Sequence, residues 1–160
     1  TAKLLQRNIK RNELRDIETR VAFVTGSPEK IHPFYTFQSY DGWSVSDTGS
    51  SDFVKGRKDL SVSQVVSVRL SQFLREKKVD VVKLDIEGME GEVLLESKNY
   101  LSRVNEFVIE YHPRMNKKNN SLDKILKLFK SNKFTVNVNN TKSIIVKENS
   151  LKMIQAIRIQ

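Results

Sequence analysis

The spacing of hydrophobic positions changes along this chain. Helical intervals of three and four alternate with short continuous apolar runs that suit buried strands. Residues 1 to 14 read as a helix, with Ala2, Leu5 and Ile9 on one stripe and Lys3, Arg7, Lys10 and Arg11 elsewhere. Residues 19 to 25 contain Val21, Ala22, Phe23 and Val24 in succession and predict a short buried strand, ended by Gly26, Ser27 and Pro28. Residues 32 to 37 form a second extended piece, interrupted by Pro33. Residues 39 to 51 carry five serines, two glycines and the single tryptophan, Trp43, without apolar periodicity. They read as a mobile loop in which Trp43 is a candidate substrate contact.

The second half is more regular. Residues 63 to 68 predict a strand, and residues 70 to 77 a short helix with Leu70, Phe73 and Leu74 inward. A further strand starts at Val79 and gives way at Asp85, Glu87 and Gly88 to a helix reaching about Ser97, with Met89, Val93 and Leu94 on one face. Glu90 and Glu92 fall in its first turn, where negative charge suits the helix dipole. Residues 105 to 111 predict a strand stopped by His112-Pro113. Ser121 caps a helix to Asn132, with Leu122, Ile125, Leu126 and Phe129 at i, i+3, i+4 and i+7. Residues 133 to 138 and 143 to 147 flank Asn139-Asn140, read as a tight hairpin turn, and residues 153 to 159 form a last strand. Helix and strand alternate as far as Asn132, and an antiparallel tail follows. The expectation is a single α/β domain over 1–160, with no internal repeat.

Composition narrows the class. The chain has 160 residues, 29% charged and 38% hydrophobic, which is globular composition. No apolar run approaches the roughly 20 residues of a bilayer span. The absence of cysteine excludes disulfides and thiolate metal sites, and fits a cytoplasmic location. Lys and Arg number 28 against 19 acidic residues, a net charge of +9. The basic residues lie in or beside predicted helices without interleaved aromatics, so a solvated basic surface is favoured over a nucleic-acid interface. The chain begins at Thr1 with a helical pattern already running, so upstream sequence is expected.

The candidate chemistry lies at two strand ends. Strands joined by a helix run parallel, and side chains alternate, so Lys83 shares a side with Asp85 and Glu110 shares one with His112. Ligands bind at the carboxyl ends of such strands. Lys83, between Val82 and Leu84, reads as buried and therefore in need of Glu110 or Asp85 as a partner. His112 is a candidate general base. The spacing of Asp85, Glu87 and His112 matches no strong metal motif, so no metal is expected.

Residues 79 to 94, Val-Asp-Val-Val-Lys-Leu-Asp-Ile-Glu-Gly-Met-Glu-Gly-Glu-Val-Leu, resemble the signature of the FkbM-type methyltransferase family, in which a strand ending Lys-x-Asp-x-Glu-Gly leads into a helix. Residues 101 to 110, 4 to 12, 21 to 23 and 68 to 74 resemble further family segments in the same order. The resemblance implies a Rossmann-like class I methyltransferase sheet, mostly parallel with an antiparallel C-terminal hairpin, and S-adenosylmethionine as methyl donor. It also implies O-methylation of a small-molecule or saccharide hydroxyl. It places Asp85 and Glu87 at the catalytic centre, where His112 is the further candidate base, and Ala22, Phe23 and Asp85 toward the cofactor; Glu110, with Trp43 from the loop reading, is expected toward the acceptor. The chain departs from the family at one point: no Asp-x-Gly-x-x-x-Gly loop occurs in it. Only glycine allows backbone that close to the cofactor. The chain therefore reads as truncated at its N-terminus, inactive alone, and with a gap in the sheet beside the 79–84 strand. The competing expectation is a non-catalytic methyltransferase-like scaffold whose basic surface engages an anionic partner.

Overall fold

The computed structural model describes residues 2–36, 57–113, 120–140 and 152–159. Trp43, the rest of the serine-rich loop and the 143–147 segment lie outside these residues.

Twelve elements follow one another: α1 (Ala2–Arg11), β1 (Phe23–Val24), β2 (Ile31–Thr36), β3 (Ser61–Val68), α2 (Leu70–Leu74), β4 (Val79–Leu84), α3 (Glu90–Glu96), a 3-10 turn (Lys98–Arg103), β5 (Val104–Tyr111), α4 (Leu122–Ser131), β6 (Phe134–Asn140) and β7 (Lys152–Arg158). The strands form two sheets, in the orders β1-β3-β2 and β4-β5-β7-β6. Among the described residues β1·β3 and β4·β5 are parallel, while β2·β3, β5·β7 and β6·β7 are antiparallel. The expected mostly parallel sheet is thus corrected to a mixed α/β arrangement. The second half of the chain returns as antiparallel strands, and the first half folds β2 back on β3.

The larger sheet holds the core. Its strand β5 alternates, with Phe107, Ile109 and Tyr111 buried between half-buried Glu106, Val108 and Glu110. Phe107 and Ile109 lie opposite Ala156 and Ile154 of β7, so these four share one face. Leu94 of α3 and Ile125 and Phe129 of α4 join the same buried cluster. Phe107, Phe129 and Phe134 meet with ring centroids 5.2 to 5.7 Å apart, in tilted and edge-to-face contacts suited to aromatic quadrupoles. This cluster anchors β4, β5 and α3, the elements that carry the candidate site.

Several sequence expectations change, some of them because sheet faces stay exposed among the described residues. Leu84 pairs with buried Ile109, whereas Lys83 pairs with half-buried Val108 on the opposite face. Lys83 is therefore exposed, with 60% of its side chain accessible, and not buried as its apolar neighbours suggest. The 19–25 strand shortens to Phe23–Val24, half-buried, and Val21 is exposed. In α1 no residue is buried, and Leu4 and Leu5 are half exposed. Helix α2 ends at Leu74, not at residue 77. Among the described residues β2 lies at a sheet edge, and Pro33 is accommodated there because no second strand needs its missing N–H. Asn139 and Asn140 are not a turn: they extend β6 and lie opposite Met153 and Lys152 of β7.

Candidate functional site

Beyond Leu84 the chain must leave the sheet and enter α3 within five residues. It does so through two consecutive left-handed residues, Glu87 at φ 51° and Gly88 at φ 95°. Gly88 has no Cβ to oppose this, whereas Glu87 gives up about 1 kcal/mol to hold its place. The turn faces the end of β5, because β4 and β5 are paired in parallel up to Leu84 opposite Ile109.

Three sequence-predicted residues meet there. One ligand-type atom from each of Asp85, Glu87 and His112 lies within 4.8 Å of the others. His112 Nε2 stands 3.4 Å from Glu87 Oε2, and the imidazole is 12% exposed. Lys83 Nζ reaches Asp85 Oδ2 at 3.1 Å, so of its two expected partners Asp85 is the one bonded. The donors are close enough for a cation in purely spatial terms. However, two of them are exposed carboxylates, which crowd often without one, and the imidazole itself can supply positive charge.

Below this cluster is a carboxylate that the sequence reading assigned only to the helix dipole. Glu90 is fully buried. Its Oε1 accepts the Gly88 N–H at 3.0 Å and lies 3.0 Å from His112 Nδ1. Its Oε2 accepts from Asn120 Nδ2 at 2.8 Å. Asn120 Nδ2 also donates to the His112 carbonyl at 3.0 Å, and Asn120 Oδ1 accepts the Gly91 N–H at 3.0 Å. The Tyr111 hydroxyl donates to the Asn120 carbonyl at 2.9 Å and accepts from the Leu122 N–H at 3.1 Å. A signal for Glu90 existed: it precedes Leu94 by four residues on the buried face of α3, where a carboxylate needs partners. Nothing local marks Asn120, thirty residues away.

Electrostatics follow from this crowding. Burial raises the Glu87 carboxyl above the usual range. The His112 charge opposes that rise, while Asp85, Glu90 and Glu110 add to it. For His112, burial pulls the imidazole down, but the hydrogen bond to Glu90 and the charges of Glu90, Glu87 and Asp85 outweigh it, so the value is raised.

Of the remaining expected residues, Glu110 reaches the cluster through its charge on Glu87, while the first-strand residues make their contacts elsewhere. Ala22 and Phe23 belong to the first strand region, and Phe23 packs against His32 and Phe34 at centroid distances of 5.5 and 6.1 Å. Glu110 is half-buried on β5 opposite Met153. The loop after β1 does reach α3. Glu92 Oε1 accepts from the Thr25 hydroxyl and the Gly26 N–H, both at 3.0 Å. Between this loop, α3 and α4 opens a hollow of about 670 Å³, lined by residues including Gly26, Gly91, Glu92 and Leu128, but not by Asp85, Glu87 or His112. Among the described residues no helix is long and apolar enough to cross a membrane.

Fold and site together define an α/β domain whose polar groups gather at the carboxyl ends of parallel strands, the usual ligand position of such sheets. The family is more specific. Residues 3–136 match the methyltransferase FkbM domain, and the chain belongs to that family. No curated protein and no solved structure matches it. At the level of the family, then, this is a methyltransferase domain, a family that implies a methyl donor.

Proposed function

We propose that this domain serves transfer of a methyl group from S-adenosylmethionine to a hydroxyl of a saccharide or natural product, at the carboxyl ends of β4 and β5. The observation that carries the reading is the meeting of Asp85, Glu87 and His112 at one point in a chain of a methyltransferase family. When bound, S-adenosylmethionine supplies an electrophilic methyl on a sulfonium cation. The carboxylates of Asp85 and Glu87 are the chemical complement of that cation, so the donor set fits it. A hydroxyl entering the cluster can hand its proton to one of Asp85, Glu87 and His112. Methyl transfer needs in-line placement of nucleophile and leaving group, so most of the rate would come from positioning. In this reading Ala22 and Phe23 serve the cofactor together with Asp85, and Glu110 serves the acceptor. The parallel β4-α3-β5 unit followed by antiparallel β6 and β7 supports a Rossmann-like methyltransferase assignment.

The test is a titration of the 160-residue chain with S-adenosylmethionine, followed by amide NMR. Shifts that saturate at residues 85 to 89 and at His112 are expected. Saturating shifts confined to other regions, or none at millimolar cofactor, would sink the proposal.

A further inference from the structure

Glu90 is a carboxylate wholly removed from water, which costs several kcal/mol unless it is paired and hydrogen-bonded. Its partners set its role. The Gly88 N–H and the Asn120 amide nitrogen can only donate, so both carboxylate oxygens accept. A proton on His112 Nδ1, 3.0 Å from Oε1, would be donated to the carboxylate, the closer of the two carboxylate contacts of the ring. In a neutral imidazole with its proton on Nδ1, the free lone pair is on Nε2. That atom faces the cluster, 3.4 Å from Glu87.

We infer that Glu90, gripped by Asn120, is a positioning residue that holds His112 with its lone pair on Nε2 and so makes His112 the proton acceptor of the reaction. This rests on the methyl-transfer reading above. The acceptor oxygen bonds to the methyl carbon, the carbon–sulfur electron pair stays with sulfur, and the hydroxyl proton passes to Nε2. The imidazolium so formed is faced by Glu90 from α3 and by Glu87 and Asp85 from the preceding turn. Lys83 on β4 is already paired with Asp85, and Glu110 on β5 adds negative charge beside Glu87. Asp85 and Glu87, the exposed carboxylates, are left to face the cofactor. Asn120 acts at one remove: by taking Oε2 it leaves Oε1 to the imidazole, and by bonding the His112 carbonyl it ties the end of β5 to the same carboxylate.

The test uses the full chain and nitrogen NMR of its histidine rings. The sequence has two histidines, so His32→Gln assigns both. Neutral His112 is expected as the Nδ1–H tautomer, with a titration midpoint above the ordinary histidine value. In Glu90→Gln the midpoint should fall by about one pH unit or more, and the ring proton should shift toward Nε2. An unchanged His32 signal together with a cooperative thermal melt reports an intact fold. A wild-type ring protonated on Nε2, or an unmoved midpoint in folded Glu90→Gln, would overturn the assignment. Should Glu90→Gln fail to fold, the wild-type tautomer alone decides it. If the tautomer is as expected but S-adenosylmethionine leaves residues 85 to 89 and His112 unmoved, the methyl-transfer reading falls, and the acceptor role of His112 falls with it.

Discussion

Two single positions control how the strand ends meet α3. At Gly26 an added Cβ would stand 2.7 Å from Glu92 Cγ and 2.8 Å from the Glu92 carbonyl oxygen. The side chain could swing aside, but the helix backbone cannot. Gly26→Ala should therefore cost about 1–3 kcal/mol, seen as a lower denaturant midpoint at unchanged slope. His112 sets a pH dependence. Its folded value is raised, so the stabilisation it brings is complete below about pH 6.5, the ordinary value, and is lost as pH climbs through the raised one. Glu87, also raised, runs in the same direction at lower pH, losing its contribution as pH rises from the ordinary carboxylate range. Thermal melts should show stability declining above neutrality, and His112→Gln should flatten that decline. Lys83→Ala should change stability by no more than about 1 kcal/mol, because its bond to Asp85 is an exposed ion pair.

Between elements, burial and not helical propensity ranks their importance. Helix α4 is held by Ile125 and Phe129 beneath β5 and β6, whereas α1 buries none of its residues. Phe129→Ala should cost about 3–5 kcal/mol, while Leu5→Gln should stay within about 0.5 kcal/mol in the same denaturation experiment. Among the described residues β4 pairs on one edge only, and Val81 is half exposed. For a parallel strand, normally covered on both sides, this is unusual. Among the described residues the sheets β1-β3-β2 and β4-β5-β7-β6 are likewise not joined by strand pairing.

For the molecule as a whole, the missing glycine-rich loop bears on affinity. The carboxylate cluster offers a complement to the sulfonium, but no Asp-x-Gly-x-x-x-Gly segment is present to cradle the ribose. Calorimetry with these 160 residues should therefore give binding to S-adenosylmethionine weaker than micromolar, and micromolar affinity would refute the expectation. Much of this protein was legible in its sequence because the signals are local. Alternation along residues 79 to 85 put Lys83 with Asp85, and the two are bonded. Helical spacing marked α3 and α4, and Pro113 marked the end of β5. What the tertiary structure alone decided depends on partners distant along the chain. β7 enters between β5 and β6, which turns Asn139-Asn140 from a turn into strand. Among the described residues one face of the larger sheet is left open, and Lys83 is exposed on it. Asn120 arrives from thirty residues away to hold Glu90 against His112. A side chain's period follows from its neighbours in sequence, but the face that is covered and the partner that satisfies a buried charge are settled only when separate segments pack.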